Sequence, residues 1–318
     1  MKDNYEPLVV ILLASFNRAH LIGETLRSIK EQTYKNWECF ITDDNSLDNS
    51  ETVIKAIIKD DNRFSYYRKP AGYKQGLSGT RNFGLDLAFK KGARYIQFFD
   101  DDDLMHPLKL ELQMNPFLDN PTLNFTVCKF EKLKIKDNGK VIIERPDYNL
   151  SHRHLGDAIL TGALKMNSLS PLWNIEIFKE FKFDESLDYA EEWELYTRIG
   201  YTYPGNYSAV DKYLFQYRKH KDSITLGNDE NFLKEKTSAI VRIKILHFLT
   251  KKKLHTKTSI KFLAITFSHY NYKPLYIKGL LCYVQENKLP YKLNVFLKFL
   301  LVTTKFNRKV FAKIATWI

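Results

Sequence analysis

Four consecutive carboxylates, Asp100, Asp101, Asp102 and Asp103, follow the run Tyr-Ile-Gln-Phe-Phe at 95–99. Like charges crowded within a few ångströms oppose one another's ionisation unless a cation neutralises them. Hard oxygen ligands favour Mg2+ or Mn2+, and an ion that keeps open positions can bridge a diphosphate. The same residues would also serve as a solvated acidic loop or as caps for a following helix. The strand-like run in front of them favours the metal reading, because it fixes the carboxylates on a rigid edge. A second acidic pair, Asp43 and Asp44, opens the segment 43–48, in which Asp48 is placed to cap a helix. In a crevice these carboxylates would accept hydrogen bonds from a nucleobase or a ribose.

Three further segments carry polar chemistry. Residues 76–84 read Gly-Leu-Ser-Gly-Thr-Arg-Asn-Phe-Gly, where glycines permit a tight turn and Arg81 offers a planar fork suited to phosphate oxygens. This is neither a Walker loop nor a dinucleotide fingerprint, since no Gly-Lys-Ser/Thr follows and the glycine spacing is different. Glu191 and Glu192 open a helical pattern, where acids complement the helix dipole in any protein. Residues 217–225 form a basic stretch holding Arg218, His220 and Ser223, which by itself reads as a surface loop.

The elements that must position these residues alternate in the first half of the chain. Strand-like runs at 8–14, 38–42, 64–68 and 95–99 are separated by helical patterns at 21–31, 53–58 and 77–90, and Pro107 stands where a further helix would start. Such alternation predicts a parallel, doubly wound sheet, in which ligands bind beyond the carboxyl ends of the strands. Phe16 and Asn17, Asp43 and Asp44, and the aspartate run all fall at those ends. Residues 123–145 predict a β-rich insertion, 175–181 a helix, 213–217 the last strand, and everything from about 229 onward helix interrupted by Pro274 and Pro290.

Composition narrows the class. The 318 residues carry a net charge of +12, and the distribution is uneven: residues 230–318 hold 18 Lys and Arg against 3 acids, whereas the rest is close to neutral. A basic tail on a neutral body points to an anionic surface as the tail's partner. The last stretch, 293–318, combines Phe296, Leu297, Leu300, Phe311 and Trp317 with Lys298, Lys305, Arg308, Lys309 and Lys313, the make-up of a basic helix that lies in a headgroup layer. The competing reading packs the tail's apolar residues on the body. Three widely spaced cysteines fit neither a disulfide framework nor a zinc site, and no apolar run is long enough to span a bilayer. The expectation is a cytoplasmic protein, peripheral at the inner face of the cell membrane.

In order and spacing, these segments resemble the inverting family 2 glycosyltransferases of the GT-A fold, the nucleotide-diphospho-sugar transferase architecture with a Rossmann-like mixed sheet. The resemblance spans residues 7–226. It is carried by Ala-Ser-Phe-Asn-Arg at 14–18, Gln-Thr-Tyr at 32–34, Asp-Asp-Asn-Ser at 43–46, Thr-Arg-Asn-Phe-Gly at 80–84, the segment 95–103, Phe-Asp-Glu-Ser-Leu at 183–187, Glu-Glu-Trp at 191–193, and Tyr217, Arg218, His220 and Ser223. It implies a catalytic domain over 1–227 followed by a basic helical region over 228–318.

The resemblance also implies roles. Phe16 would line the nucleobase slot, Asp44 would contact base or ribose with Asp43 in support, and Arg81 would lie near the donor phosphates. Asp100 and Asp102 match the outer positions of the family's Asp-x-Asp element and would hold Mg2+ or Mn2+, while Asp101 fills a place where a small residue is usual. Glu192 falls where the family has the aspartate that serves as catalytic base. Its side chain is one methylene longer, so Glu191 competes for the role. Arg218, His220 and Ser223 match a segment that closes over the diphosphate. Ala14 and Pro171 depart from the pattern. The implied activity is inverting transfer of a sugar from a nucleoside-diphosphate donor, commonly a UDP-sugar, to a glycan or lipid-linked hydroxyl in surface-polysaccharide assembly. A nucleotidyltransferase is the alternative enzyme, although it would place a glycine- and basic-rich loop after the first strand. A non-catalytic sugar-nucleotide binder is the other, and the intact carboxylates argue against it. No specific nucleic-acid partner is expected of the acidic crevice.

Overall fold

The computed structural model describes residues 6–135, 141–220, 230–267 and 273–302. Its first strand, β1 (Val9–Ser15), is buried along its whole length, as expected of an uninterrupted apolar run covered on both faces. β2 (Trp37–Asp43), β3 (Phe64–Arg68) and β4 (Tyr95–Asp100) join it in the order β3-β2-β1-β4, all parallel. Parallel neighbours need crossover connections, and α1 (Ile22–Lys30), α2 (Ser50–Ile58) and α3 (Leu77–Lys91) supply them. In α1 the buried residues Ile22, Leu26 and Ile29 recur at helical spacing. The ladder register sets Ser15 opposite Asp43 and Ala14 opposite Asp100, so three strands end level and deliver their polar continuations to one edge.

Past β4 the sheet turns mixed. The two-residue β5 (Leu104–Met105) precedes α4 (Lys109–Asp119), β6 (Phe125–Ile135), β7 (Val141–Glu144), α5 (Leu155–Thr161), β8 (Pro171–Asn174), α6 (Glu191–Thr202) and β9 (Tyr207–Lys219). The strand order continues β4-β8-β6-β9-β5, with β7 on β6. β8 is antiparallel to β4 and to β6, whereas β9 is parallel to β6. Residues 123–145 are thus no appendage: the first half of β6 is a central strand, and only its far half forms a hairpin with β7. Pro171 opens β8, a position where its missing N–H costs no ladder bond.

An aromatic cluster joins the two halves. Phe98 of β4 meets Phe178 and Phe183 with ring centroids 5.4 and 5.3 Å apart, and Trp173 of β8 lies 5.0 Å from Tyr196 of α6. Edge-to-face and tilted pairs of this kind add to the stabilisation from burial. They fix the start of α6 relative to the end of β4, the relation on which the site depends.

Gly79, in the first turn of α3, lets the preceding loop pack against that helix: a Cβ there would stand 2.1 Å from the Lys74 carbonyl oxygen. Gly79→Ala is therefore expected to displace the loop, at the about 1–3 kcal/mol typical of overpacking. A differential scanning measurement should show Tm lowered by roughly 2–4 °C per kcal/mol. An unchanged Tm would contradict this packing.

The chain divides into two compact units, Met1–Ala239 and Ile240–Ile318. The expected boundary at 227/228 lies outside the described residues. α7 (Glu230–Lys252) crosses from the first unit into the second, which holds α8 (Lys257–Phe267), α9 (Lys273–Glu286) and α10 (Tyr291–Val302) around buried Ile245, Leu249, Leu263, Leu280 and Leu297. Phe296, Leu297 and Leu300 are buried within this unit, and Tyr291 and Val295 are the exposed apolar residues on α10 beside Phe299. Phe311, Trp317 and the basic residues from Lys305 to Lys313 lie outside the described residues. Among those described, no helix is long and apolar enough to cross a membrane.

Candidate active site

The loop after β1 carries Phe16, a residue 39% exposed, at the strand ends. The aspartate run and the segment 46–50 fasten this loop, the latter accepting from the Asn17, Arg18 and Ala19 amides at Ser46, Ser50 and Asp48. The Phe16 amide donates to Asp101 Oδ2 at 2.9 Å, and Asn17, in the left-handed region at φ 51, accepts from the Leu47 amide at 2.8 Å. Asp43 is buried and supports its surroundings: it accepts from the Ser46 amide at 3.1 Å, from the Tyr66 hydroxyl at 2.9 Å, and from the Ser46 hydroxyl. Asp44, also buried, accepts from the Gly76 amide at 2.7 Å and pairs with Lys69 Nζ at 2.5 Å. Gly76 adopts φ 114, a backbone conformation that glycine alone takes without strain. The second and third polar segments of the sequence therefore meet at Asp44.

The aspartate run divides its labour. Asp101 and Asp103 are buried and turned toward protein groups: Asp101 holds the Phe16 amide, and Asp103 Oδ1 accepts from the Arg218 amide at 2.7 Å. Burial first, and then the neighbouring Asp102 charge, push both carboxyls well above their ordinary range. Asp100 and Asp102 keep more contact with solvent, their side chains 24% and 17% exposed. Burial raises Asp100 as well, against the pull of Arg81. Asp102 Oδ2 lies 2.9 Å from His220 Nε2 and 3.9 Å from Arg18 Nε. Its carbonyl accepts from Arg218, whose guanidinium also reaches Glu24 and the Thr25 hydroxyl. The end of β9 is thereby clipped to α1 and to the run.

Arg81 is buried at the meeting point of three elements. Its guanidinium donates to Glu191 Oε1 at 2.9 Å, to Asp100 Oδ1 at 2.9 Å and to the Ser168 hydroxyl at 2.8 Å. One planar cation thus couples the end of β4 to the start of α6, a task the bidentate geometry of arginine suits and lysine does not. Glu191 is buried, and burial together with the adjacent Glu192 carboxylate pushes it up to about 8, with Arg81 opposing. Glu192 is partly exposed. The two glutamates differ accordingly: one is fastened inside the protein, the other accessible beside it.

Phe16, Asp43, Asp44, Asp100, Asp101, Asp102, Arg218 and His220 are gathered on or beside the sheet edge, and Arg81 links Asp100 to Glu191, the neighbour of Glu192. Ser223 lies outside the described residues. Sequence reasoning passed over Lys69, Ser168, Glu24 and Tyr66. Lys69 directly follows β3, so the rule of polar residues at strand ends would have found it. Ser168 lies in a stretch with no periodicity, and nothing in its sequence context signals it. Among the described residues no three metal-ligating side chains converge. The accessible donor set is the two carboxylates of Asp100 and Asp102. That set fits a hard divalent ion of the kind that takes one or two protein carboxylates and fills its remaining positions with phosphate oxygens and water.

Residues 10–173 match the family model of glycosyl transferase family 2. A Campylobacter jejuni protein described as GalNAc(5)-diNAcBac-PP-undecaprenol beta-1,3-glucosyltransferase is 27% identical over 282 residues, covering 85% of this chain and 86% of the relative. An Escherichia coli protein, UDP-Glc:alpha-D-GlcNAc-diphosphoundecaprenol beta-1,3-glucosyltransferase WfgD, is 33% identical over 171 residues, 53% of this chain and 64% of that one. Among solved structures, S. aureus TarS 1–349 in complex with UDP-GlcNAc superposes with a TM-score of 0.62 at 17% identity, over 98% of this chain and 91% of that one. A mannosyltransferase of Pyrobaculum calidifontis, solved with GDP-Man and Mn2+, gives a TM-score of 0.53 at 13% identity, over 99% and 85%.

Proposed function

The chain belongs to glycosyl transferase family 2, and from that premise we propose that it transfers a hexose or N-acetylhexosamine from a UDP-sugar to a hydroxyl of a lipid-linked glycan, with inversion at the anomeric carbon. The observation that carries this reading is the Asp100–Arg81–Glu191 network. It ties the carboxylates suited to the donor's diphosphate to the glutamate pair suited to the acceptor. The acceptor class is taken from the undecaprenol-linked acceptors in the names of the two relatives.

Phe16 offers its ring to the nucleobase, and Asp44, with Asp43 behind it, faces the base and ribose. Asp102 and Asp100 would hold Mg2+ or Mn2+, which when bound neutralises charge on the diphosphate leaving group. His220, seated on Asp102, flanks that diphosphate, while Arg218, committed to Asp102, Glu24 and Thr25, holds the end of β9 in place. Arg81 is committed to protein groups, so its part in donor handling runs through Asp100. Glu192 takes the proton of the acceptor hydroxyl as the new bond forms, and Glu191 keeps its neighbour in place through Arg81. Direct displacement inverts the anomeric centre and needs no covalent enzyme intermediate.

The test is a thermal-shift panel of UDP-, GDP- and dTDP-sugars with and without Mn2+, because specific ligands raise Tm by mass action. The expected result is a shift with UDP-sugars that requires the metal. Shifts absent for every nucleotide sugar would refute the reading. The basic second unit is assigned to the anionic inner face of the cell membrane, where such acceptors would be met. In a flotation assay, the full chain should rise with phosphatidylglycerol vesicles and be released by about 0.5 M salt, which shortens electrostatic reach to a few ångströms. Equal recovery on neutral vesicles would contradict the assignment.

A further inference from the structure

In α10 the buried residues Leu293, Phe296, Leu297 and Leu300 recur at the spacing of a core-facing stripe. The other side of such a helix ordinarily shows water a mixture of polar and charged residues. Here it does not. From 291 to 300 the exposed residues are Tyr291, Lys292, Val295, Lys298 and Phe299, and the helix contains no acid. Tyr291, Val295 and Phe299 are 79%, 46% and 39% exposed. Steps of four residues stack these three as neighbours on one face. At about 100° per residue, Lys298 borders that row on one side and Lys292 on the other.

The surroundings add charge of the same sign. Residues 240–318 hold 16 Lys and Arg against one acid, Glu286. On α8, Lys257 and Lys261 stand one turn apart, and burial, then the charges of Lys257 and Lys292, lowers the proton affinity of Lys261. Cations crowded in this way raise the free energy of the free protein and favour an anionic partner. A second copy of the chain is disfavoured as that partner, since it would set lysines against lysines. A nucleic acid would use the lysines but offers Val295 and Phe299 no apolar medium. A layer of anionic headgroups over acyl chains satisfies both kinds of side chain: aromatic and aliphatic groups reach the acyl boundary, and lysine stems lie alongside with their ammonium ends on phosphate.

We propose that the Tyr291–Val295–Phe299 face of α10, bordered by Lys292 and Lys298, is the surface that enters the headgroup layer of an anionic bilayer. The proposal rests on the membrane assignment of the second unit made above and names the surface that makes the contact. Sequence pattern picks Phe296, Leu297 and Leu300 for lipid, but those three are committed to the core of the unit.

An environment-sensitive fluorophore at position 291 tests this in the full chain. Cys39 and Cys128 are buried and Cys282 is exposed, so Tyr291→Cys in a Cys282→Ser background takes a thiol-reactive nitrobenzoxadiazole. Phosphatidylglycerol vesicles should shift its emission to the blue, and a nitroxide on the lipid acyl chains should quench it. Phosphatidylcholine vesicles should do neither. The unlabelled Tyr291→Ser/Val295→Ser/Phe299→Ser variant, shown folded by circular dichroism, should bind phosphatidylglycerol vesicles at least about tenfold more weakly than wild type, because interfacial affinity scales with buried apolar area. Wild-type protein that ignores phosphatidylglycerol would refute the membrane assignment and this surface with it. Vesicle-bound protein whose label stays in water, or a triple variant of wild-type affinity, would overturn this surface alone. So would an equal blue shift without vesicles, either on adding poly(U) or on concentrating the protein.

Discussion

Glu192→Gln is expected to lower kcat by about 10²–10⁴-fold, the usual worth of a positioned general base, while the affinity for UDP stays close to that of the parent. Glutamine keeps the shape of the side chain and removes only its capacity to accept the proton. The carboxylates proposed for the donor lie at or just past the ends of β2 and β4, and among the charges acting on Asp100 that of Glu192 ranks behind Arg81 and Asp102. Glu191→Gln should behave differently. Glu191 is buried on the Arg81 guanidinium, and the substitution weakens one arm of that network. Because burial pushes Glu191 up to about 8, glutamine replaces a carboxyl that is largely uncharged near neutral pH. The cost is that of one weakened hydrogen bond to the buried Arg81 cation, about 1.5–3 kcal/mol, so Glu191→Gln should lower Tm modestly as well as turnover. Thermal unfolding and steady-state kinetics on the two variants separate the cases. Full turnover in Glu192→Gln, with turnover lost at unchanged Tm in Glu191→Gln, would move the base to Glu191.

The second large effect is expected at Asp102. Asp102→Ala should lower kcat/KM by about 10²–10³-fold, comparable to removing one principal electrostatic contact from an active site, and it should weaken UDP binding in parallel. The side chain is one of the two in the run with access to ligand, and it also seats His220. Alanine therefore removes a metal donor and loosens the residue flanking the diphosphate. Asp103→Asn provides the contrast. Asp103 is buried on the Arg218 amide, so the amide substitution should alter how β9 is clipped to the run, and the first sign should be in Tm. Equal kinetic losses in both variants, with both fully folded, would mean that the run acts as one undivided acidic patch.

Local pattern made the first half of the fold legible. An apolar run such as 8–14 has one stable setting, the interior of a covered sheet, and the helix-strand alternation after it leaves few topologies. The second half is built from pieces too short to show a period: two residues in β5, four in β8, seven in α5. Their pairing is decided by long-range packing of aromatics such as Trp173 and Phe178. The site divides in the same way. That the acids collect at one edge follows from where the strands end. That Arg81 is committed to Asp100, Glu191 and Ser168, on segments up to 110 residues away, is a fact of tertiary contact that spacing does not carry. The same holds for the split of the aspartate run, since four identical residues in sequence give no sign of which two turn inward.

The central claim is that the donor's diphosphate is gripped through a divalent ion on Asp100 and Asp102, and turnover of a UDP-sugar before and after exhaustive chelation tests it most directly. With circular dichroism showing the protein still folded, chelation should reduce turnover by at least about 10²-fold, and added Mn2+ or Mg2+ should restore it. Undiminished turnover by folded, metal-free protein would contradict the account.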